Sequence, residues 1–118
     1  ALGESLWRRS GLGPRNIDVA QIYDHFAPLV LTSLEDLGFC RKGEAAQFVG
    51  GGRIGLGGEL PLNTAGGLLS EGYIHGWNLI AEGVRQIRGT STAQVADVEF
   101  SLVTSCWGAP TSAVILSR

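Results

Sequence analysis

The sequence predicts an α/β domain, a mixed β-sheet covered by helices on both faces. Three observations predict it. Element patterns run in the order helix, strand, helix, long loop, helix, strand, strand. The stretch Asp18–Tyr23, "DVAQIY", is apolar at positions facing both ways, as in a strand buried under helices on each side. Two runs rich in Val, Ile and Phe, "VADVEFSLVTSCW" and "TSAVILSR", flank "GAP", which has the character of a hairpin turn.

Each element has its own signal. Leu2 to Arg9 is a helix, with Leu2, Leu6 and Trp7 on one face and Gly11 closing it. "GPRNID" is a turn. "FAPLVLTSLEDLGF" is a second helix: Pro28 sits in its first turn, where a missing N–H costs little, and Gly38 stops it. The segment "CRKGEAAQFVGGGRIGLGGELPL" is expected to be irregular, because its glycines permit sharp turns and deny a stable helix. Asn63 to Gly72 is a loop. A helix from Ile74 to Ile87 follows, with Ile80, Val84 and Ile87 as its apolar stripe and Arg85 and Arg88 at its C-terminal end.

Composition sets the class. One hundred and eighteen residues suit a single domain, residues 1–118, able to hold a core without disulfides or metal. A formal charge of −2 gives no field that attracts nucleic acid or an anionic membrane. The apolar runs are far short of the ~20 residues that cross a bilayer. No signal-peptide pattern is present, and the expected location is cytoplasmic. Cys40 and Cys106 have no zinc-ligand spacing and read as reduced thiols. The 18 glycines are about twice the usual ~7% share and point to close backbone approach and left-handed turns. Hydrophobic residues make up 44%, a greasy composition for a free-standing domain.

Four stretches carry candidate chemistry. "YDHF" puts Tyr23, Asp24 and His25 at the carboxyl end of a strand, where ligands gather in open α/β sheets; Asp24 also suits the cap of the following helix. In "NTAGG", Gly66 and Gly67 let a ligand lie against bare backbone, although the residues alone favour a tight turn over a ligand contact. "GYIHGW" puts Tyr73 and His75 near a helix N-terminus, whose free N–H groups favour anionic oxygen. A single histidine is more often a hydrogen-bonded structural residue than a catalyst, and Trp77 reads as core or interface packing. "CWG" ends a strand with Cys106, whose reactivity would need an electropositive neighbour. "GGGRIGLGG" matches no phosphate-binding pattern.

In order and spacing, "YDHF" at 23–26, "NTAGG" at 63–67, "GYIHG" at 72–76 and "CWG" at 106–108 resemble the C-terminal half of a thiolase, with its N-E-A-F, N-x-x-G-G, G-H-P-x-G and C-x-G motifs. The resemblance covers nearly the whole chain and implies a thiolase-like C-terminal domain, a fragment of a longer chain inactive by itself. Two positions depart from the pattern. Tyr23 stands where thiolases have the oxyanion-hole asparagine, and Tyr73 where they have the catalytic histidine. A phenol titrates near 10 and cannot replace a histidine that deprotonates a thiol near neutral pH. The double replacement is similar to the thiolase-like aldolases of steroid side-chain breakdown, the "lipid-transfer protein" type.

That resemblance implies retro-aldol cleavage of a steroid-derived β-hydroxyacyl-CoA to a 17-ketosteroid and propionyl-CoA. Tyr23 and Tyr73 would face each other as the proton-transferring pair, Tyr73 assigned as the base and Tyr23 as donor, with the reverse order also open. His75 and Cys106 would orient the thioester. Asn63, Gly66, Gly67, Asp24 and His25 would contact substrate. It further implies no cofactor beyond the CoA of the substrate, no metal, a homodimer through the full thiolase fold, and a partner carrying an OB-fold and a zinc ribbon. The competing readings are a degenerate homologue that binds acyl-CoA or lipid without chemistry, and an acyl-CoA acyltransferase.

Overall fold

The computed structural model describes residues 2–107 and 109–118, and for residues 106, 107 and 109–111 the backbone alone. The expected turn residue Gly108 and the side chain of Cys106 lie outside the described residues. Helix α1 (Leu2–Ser10) lays Leu6 and Trp7 on the core, and the Trp7 indole N–H donates to the Leu37 carbonyl at 2.8 Å. A 3-10 turn at Pro14–Asn16 leads into strand β1 (Val19–Gln21), shorter than the sequence suggests and buried at all three positions.

β1 is central. On one side it pairs in parallel with β2 (Phe100–Trp107), Ala20 opposite Leu102. On the other, the Ala20 N–H donates to the Pro61 carbonyl and its carbonyl accepts from the Asn63 N–H, so residues 61–63 run along its second edge. Strand β3 (Ala109–Ser117) is antiparallel to β2, giving a mixed sheet in the order β1-β2-β3. The neighbours Leu102 and Val103 point to opposite faces and seed two cores. Leu102 joins Ile22, Leu34 and Leu37 beneath α1 and helix α2 (Ala27–Asp36). Val103 joins Tyr23, Leu68 and Leu79 beneath helix α5 (Trp77–Arg88). Helices therefore cover both faces, as the pattern predicts. Each fully buried Leu or Ile contributes ~1.5–3 kcal/mol.

Four local expectations are corrected. The 40–62 stretch is not wholly irregular: helix α3 (Ala45–Phe48) and a 3-10 turn at Gly50–Gly52 form there. The Glu35 carboxylate accepts from the Gly43 and Ala45 N–H groups, a cap supplied from α2. The 63–72 loop holds one helical turn, α4 (Gly67–Ser70). β2 begins at Phe100 rather than Val95, because Asp97 has a φ of 54° and the Asp18 carboxylate takes the N–H groups of Glu99 and Phe100. Finally, α5 buries Asn78, Leu79, Glu82, Gly83 and Gln86, not the expected stripe of Ile80, Val84 and Ile87.

Gly83 explains that rotation. A Cβ there would lie 2.7 Å from Val103 Cγ2 and 3.2 Å from Leu116 Cδ1, so α5 touches the sheet through its backbone. Among the described residues, Cys40 is a free, half-buried thiol; burial, then Glu35 and Glu44, push its pKa up.

Two outcomes follow. Gly83→Ala gains ~1 kcal/mol of helix propensity, yet overpacking against Val103 costs ~1–3 kcal/mol, so thermal denaturation will show a lowered Tm; a raised Tm would mean that α5 can back away. Cys40 carries less thiolate at pH 8 than free cysteine, so iodoacetamide will label it more slowly than the free amino acid.

Candidate active site

The carboxyl end of β1 and the approach to α5 meet. The backbone of Gly76 lies on the Tyr23 ring: a Cβ there would stand 3.0 Å from Cε2 and 3.1 Å from Cδ2, and its φ is +85°. Both constraints require glycine. Tyr23, His75, Gly76, Ile80, Val103 and Thr104 line a cleft of about 140 Å³ at this junction. Tyr23 is 8% exposed and packs with Leu68, Leu79 and Val103, and its N–H donates to Thr104 Oγ1 at 3.3 Å.

Tyr73 is placed differently. It is 66% exposed and is not among the cleft's lining residues; its ring lies 4.7 Å from that of His75. The structure thus brings Tyr23 and His75 to one cleft and sets Tyr73 beside His75. Neither residue is on the helix: α5 starts at Trp77, because His75 (φ 51°) and Gly76 are both left-handed. A non-glycine residue in that region stores of order 1–3 kcal/mol of strain, a feature that clusters at functional sites. Trp77 is 69% exposed, not in the core.

"NTAGG" is a joint. The Asn63 side chain acts as a strand neighbour to Ile22: its Oδ1 accepts the Ile22 N–H at 2.7 Å and its Nδ2 donates to the Ile22 carbonyl at 2.9 Å. Both functions of the amide are engaged beside Tyr23. Asp24, 5% exposed, does not cap α2, which has no side-chain cap; its Oδ1 accepts the Leu68 N–H at 2.8 Å. Gly67, with a φ of +65°, leaves room for that carboxylate, since a Cβ would lie 2.2 Å from Asp24 Oδ2. Gly66 turns the chain just before it, its N–H donating to the Asn63 carbonyl at 2.7 Å. His25 stacks between Tyr23 (5.1 Å) and Phe26 (4.9 Å), and its Nδ1 is buried without a hydrogen-bond partner. Cys106 is near the end of β2, its side chain undescribed.

A larger cleft, about 1050 Å³, lies among Pro14–Asn16, Phe39–Arg41 and α3; among the described residues, no predicted site residue lines it. The sequence reading missed Thr64, Glu82, Gln86 and Thr104. Thr64 Oγ1 donates to Glu82 Oε1 at 2.6 Å and accepts from Gln86 at 2.9 Å. The available signal was Gly83: a glycine inside a helix marks the face of closest approach, and positions 79, 82, 83 and 86 share that face.

A mixed sheet between helices, with a tyrosine and histidine cleft where β1 meets the approach to α5, is an α/β domain of thiolase-like architecture. Residues 2–118 match the family described as "Thiolase C-terminal domain-like", and the chain belongs to that family. It is 57% identical over 115 residues to 17-hydroxy-3-oxo-4-pregnene-20-carboxyl-CoA lyase of Mycobacterium tuberculosis, covering 98% of this chain and 30% of the relative. It is 55% identical to the steroid side-chain-cleaving aldolase of Thermomonospora curvata, covering 98% and 29%. The solved Ltp2-ChsH2(DUF35) aldolase superposes with a TM-score of 0.94 at 54% identity, over 99% of this chain and 31% of that one. The chain therefore spans about 30% of the length of these relatives. Among the described residues no helix is long and apolar enough to cross a membrane.

Asn63→Ala leaves the N–H and carbonyl of Ile22 unpaired. At ~1–3 kcal/mol for each unsatisfied buried group, urea denaturation will show a loss of about 2–6 kcal/mol. Asn63→Asp will be nearly as costly, because an oxygen then faces the Ile22 carbonyl.

Proposed function

We propose that this chain is the part of a retro-aldol acyl-CoA lyase that moves the proton, acting on a steroid-derived β-hydroxyacyl-CoA. The observation that carries the reading is the seating of Gly76 on the Tyr23 ring, which brings His75 to the cleft that Tyr23 lines, with Tyr73 just outside it against His75. A base takes the β-hydroxyl proton and the Cα–Cβ bond breaks. Cβ becomes the carbonyl of a 17-ketosteroid, and the bonding pair passes to Cα as a thioester enolate. A donor stabilises that enolate and returns a proton to Cα, releasing propionyl-CoA. Tyr73 is assigned as the base and Tyr23 as the enolate partner and donor. A phenol both donates and accepts, so either step suits it. His75, in contact with Tyr73 and the cleft, orients the thioester, with Cys106 assigned the same role.

The reaction is redox-neutral and forms no acyl-enzyme, so it asks for no cofactor beyond the substrate's CoA. A cleft of 140 Å³ takes the reacting carbons and not a steroid nucleus, for which the exposed apolar side chains Phe26, Tyr73, Ile74 and Trp77 offer contact beyond it. The whole protein would be a cytoplasmic homodimer of the thiolase fold. The name of the solved Ltp2-ChsH2(DUF35) aldolase supports a partner protein, proposed to carry an OB-fold and a zinc ribbon. One observation favours a second reading, acyl-CoA binding without chemistry: Tyr23 belongs to a packed core cluster.

The test is the intact protein incubated with a 17-hydroxysteroid side-chain CoA thioester, with products followed by mass spectrometry. The 17-ketosteroid and propionyl-CoA will appear in equal amounts, and Tyr73→Phe and Tyr23→Phe will each lower kcat by ~10²-fold or more. Binding without cleavage by the wild type would favour the second reading, and full turnover by Tyr73→Phe would reject its role as base.

A further inference from the structure

Apart from the cleft, α5 carries a buried carboxylate that the proposed chemistry does not use. Glu82 is 2% exposed, on the helix face pressed against the sheet at Gly83. Its Oε1 accepts from Thr64 Oγ1 at 2.6 Å, Ser91 Oγ at 2.6 Å and Gln86 Nε2 at 3.1 Å, while Arg85 Nη1 lies 3.8 Å from Oε2. The Thr64 hydroxyl also accepts from Gln21 Nε2 of β1 at 3.2 Å. One side chain thereby ties together three segments: α5, whose approach carries Tyr73 and His75; the 63–64 corner, whose Asn63 grips Ile22 beside Tyr23; and β1 itself.

We infer that Glu82 is a positioning residue, holding α5 in register with β1 and thereby setting Gly76 and His75, with Tyr73 beside it, at the cleft that Tyr23 lines. A buried carboxylate with three donors converging on one oxygen costs desolvation that an apolar residue would avoid. It also allows one arrangement of its neighbours, since any slide of α5 strands the Thr64 and Ser91 hydroxyls. The kinetic half of the inference rests on the retro-aldol reading; the structural half rests on the hydrogen bonds alone.

The test compares Glu82→Ala and Glu82→Gln in the intact protein, at a temperature where circular dichroism shows both folded. Glutamine keeps an acceptor for Thr64 and Ser91, so Glu82→Gln retains kcat within about threefold. Glu82→Ala lowers kcat by about 100-fold with KM nearly unchanged, the effect of misplacing reacting groups by ~1 Å. Amide deuterium exchange rises in residues 20–24 and 72–77 of Glu82→Ala and stays unchanged in residues 2–10. If Glu82→Ala does not fold, Thr64→Val and Thr64→Ser replace the pair, with loss of kcat expected for valine and retention for serine. Wild-type kcat in a folded Glu82→Ala, or unaltered exchange in both segments, overturns the inference. If the wild type cleaves no carbon–carbon bond, the retro-aldol reading falls, and the exchange pattern alone decides the role of Glu82.

Discussion

The grip of the Asn63 carboxamide on Ile22 is the joint on which the site is built. β1 ends at Gln21, yet the chain must stay extended for two more residues to present Tyr23 at the sheet's end. No strand is hydrogen-bonded to Ile22 there on the 61–63 side. Asn63 supplies the acceptor and donor that a strand would have offered, at 2.7 and 2.9 Å. The substitution of a side chain for a ladder works because a carboxamide carries the same pair of functions as a peptide group. It also frees the backbone beyond Asn63 to turn away at Gly66 and Gly67, which no continuing strand could do.

That turn is held from the other side by Asp24. Its buried carboxylate accepts the Leu68 N–H, so the residues flanking Tyr23 each grip the same loop: Ile22 through Asn63, Asp24 through Leu68. Tyr23 is fixed between two neighbours, Ile22 and Asp24, each held by an anchor 41 or 44 positions further along the chain. A carboxylate accepting from a backbone N–H in a protected place is among the stronger neutral-to-charged hydrogen bonds. The loop that leads to Tyr73 is therefore tied to the Tyr23 strand before α5 begins, and α5 then closes the arrangement by pressing Gly83 onto Val103.

Much of this was legible in the residues. The apolar run at 18–23, Pro28 in a first turn and the Val-rich segments near 100–117 read correctly, because burial on both faces and φ restriction are written in residue type. The motifs YDHF, NTAGG and GYIHG placed Tyr23, Asn63, Tyr73 and His75 in one neighbourhood. What was not legible is whatever depends on a distant partner. The stripe of α5 was misread by one residue, a rotation of ~100°, because Glu82 and Gln86 look like a solvated face until Thr64, Ser91 and Ala93 are seen beside them. The first turn of α3 depends on a carboxylate from α2, and the start of β2 on one from Asp18. Asp24 looked like a helix cap because the residue that claims it, Leu68, is far along the sequence.

If the proposed retro-aldol reading holds, the placement of the two tyrosines bears on how phenols would serve where an imidazole serves in thiolases. Proton transfer by a phenol, whose ordinary pKa is near 10, asks both for a matched acidity and for a neighbour held at hydrogen-bond range. The more tightly packed of the two is Tyr23, set against Gly76 and Leu79 and flanked by the two anchors. Tyr73 is the opposite: two-thirds exposed, its ring resting on a histidine whose own backbone is left-handed. A fixed phenol beside an enolate keeps its dipole aligned through the reaction and needs no reorganisation. An exposed phenol can meet a hydroxyl on a large ring system that the small cleft excludes. In the proposed reading the buried phenol is the donor and the accessible one the base, a division that matches the burial of each side chain.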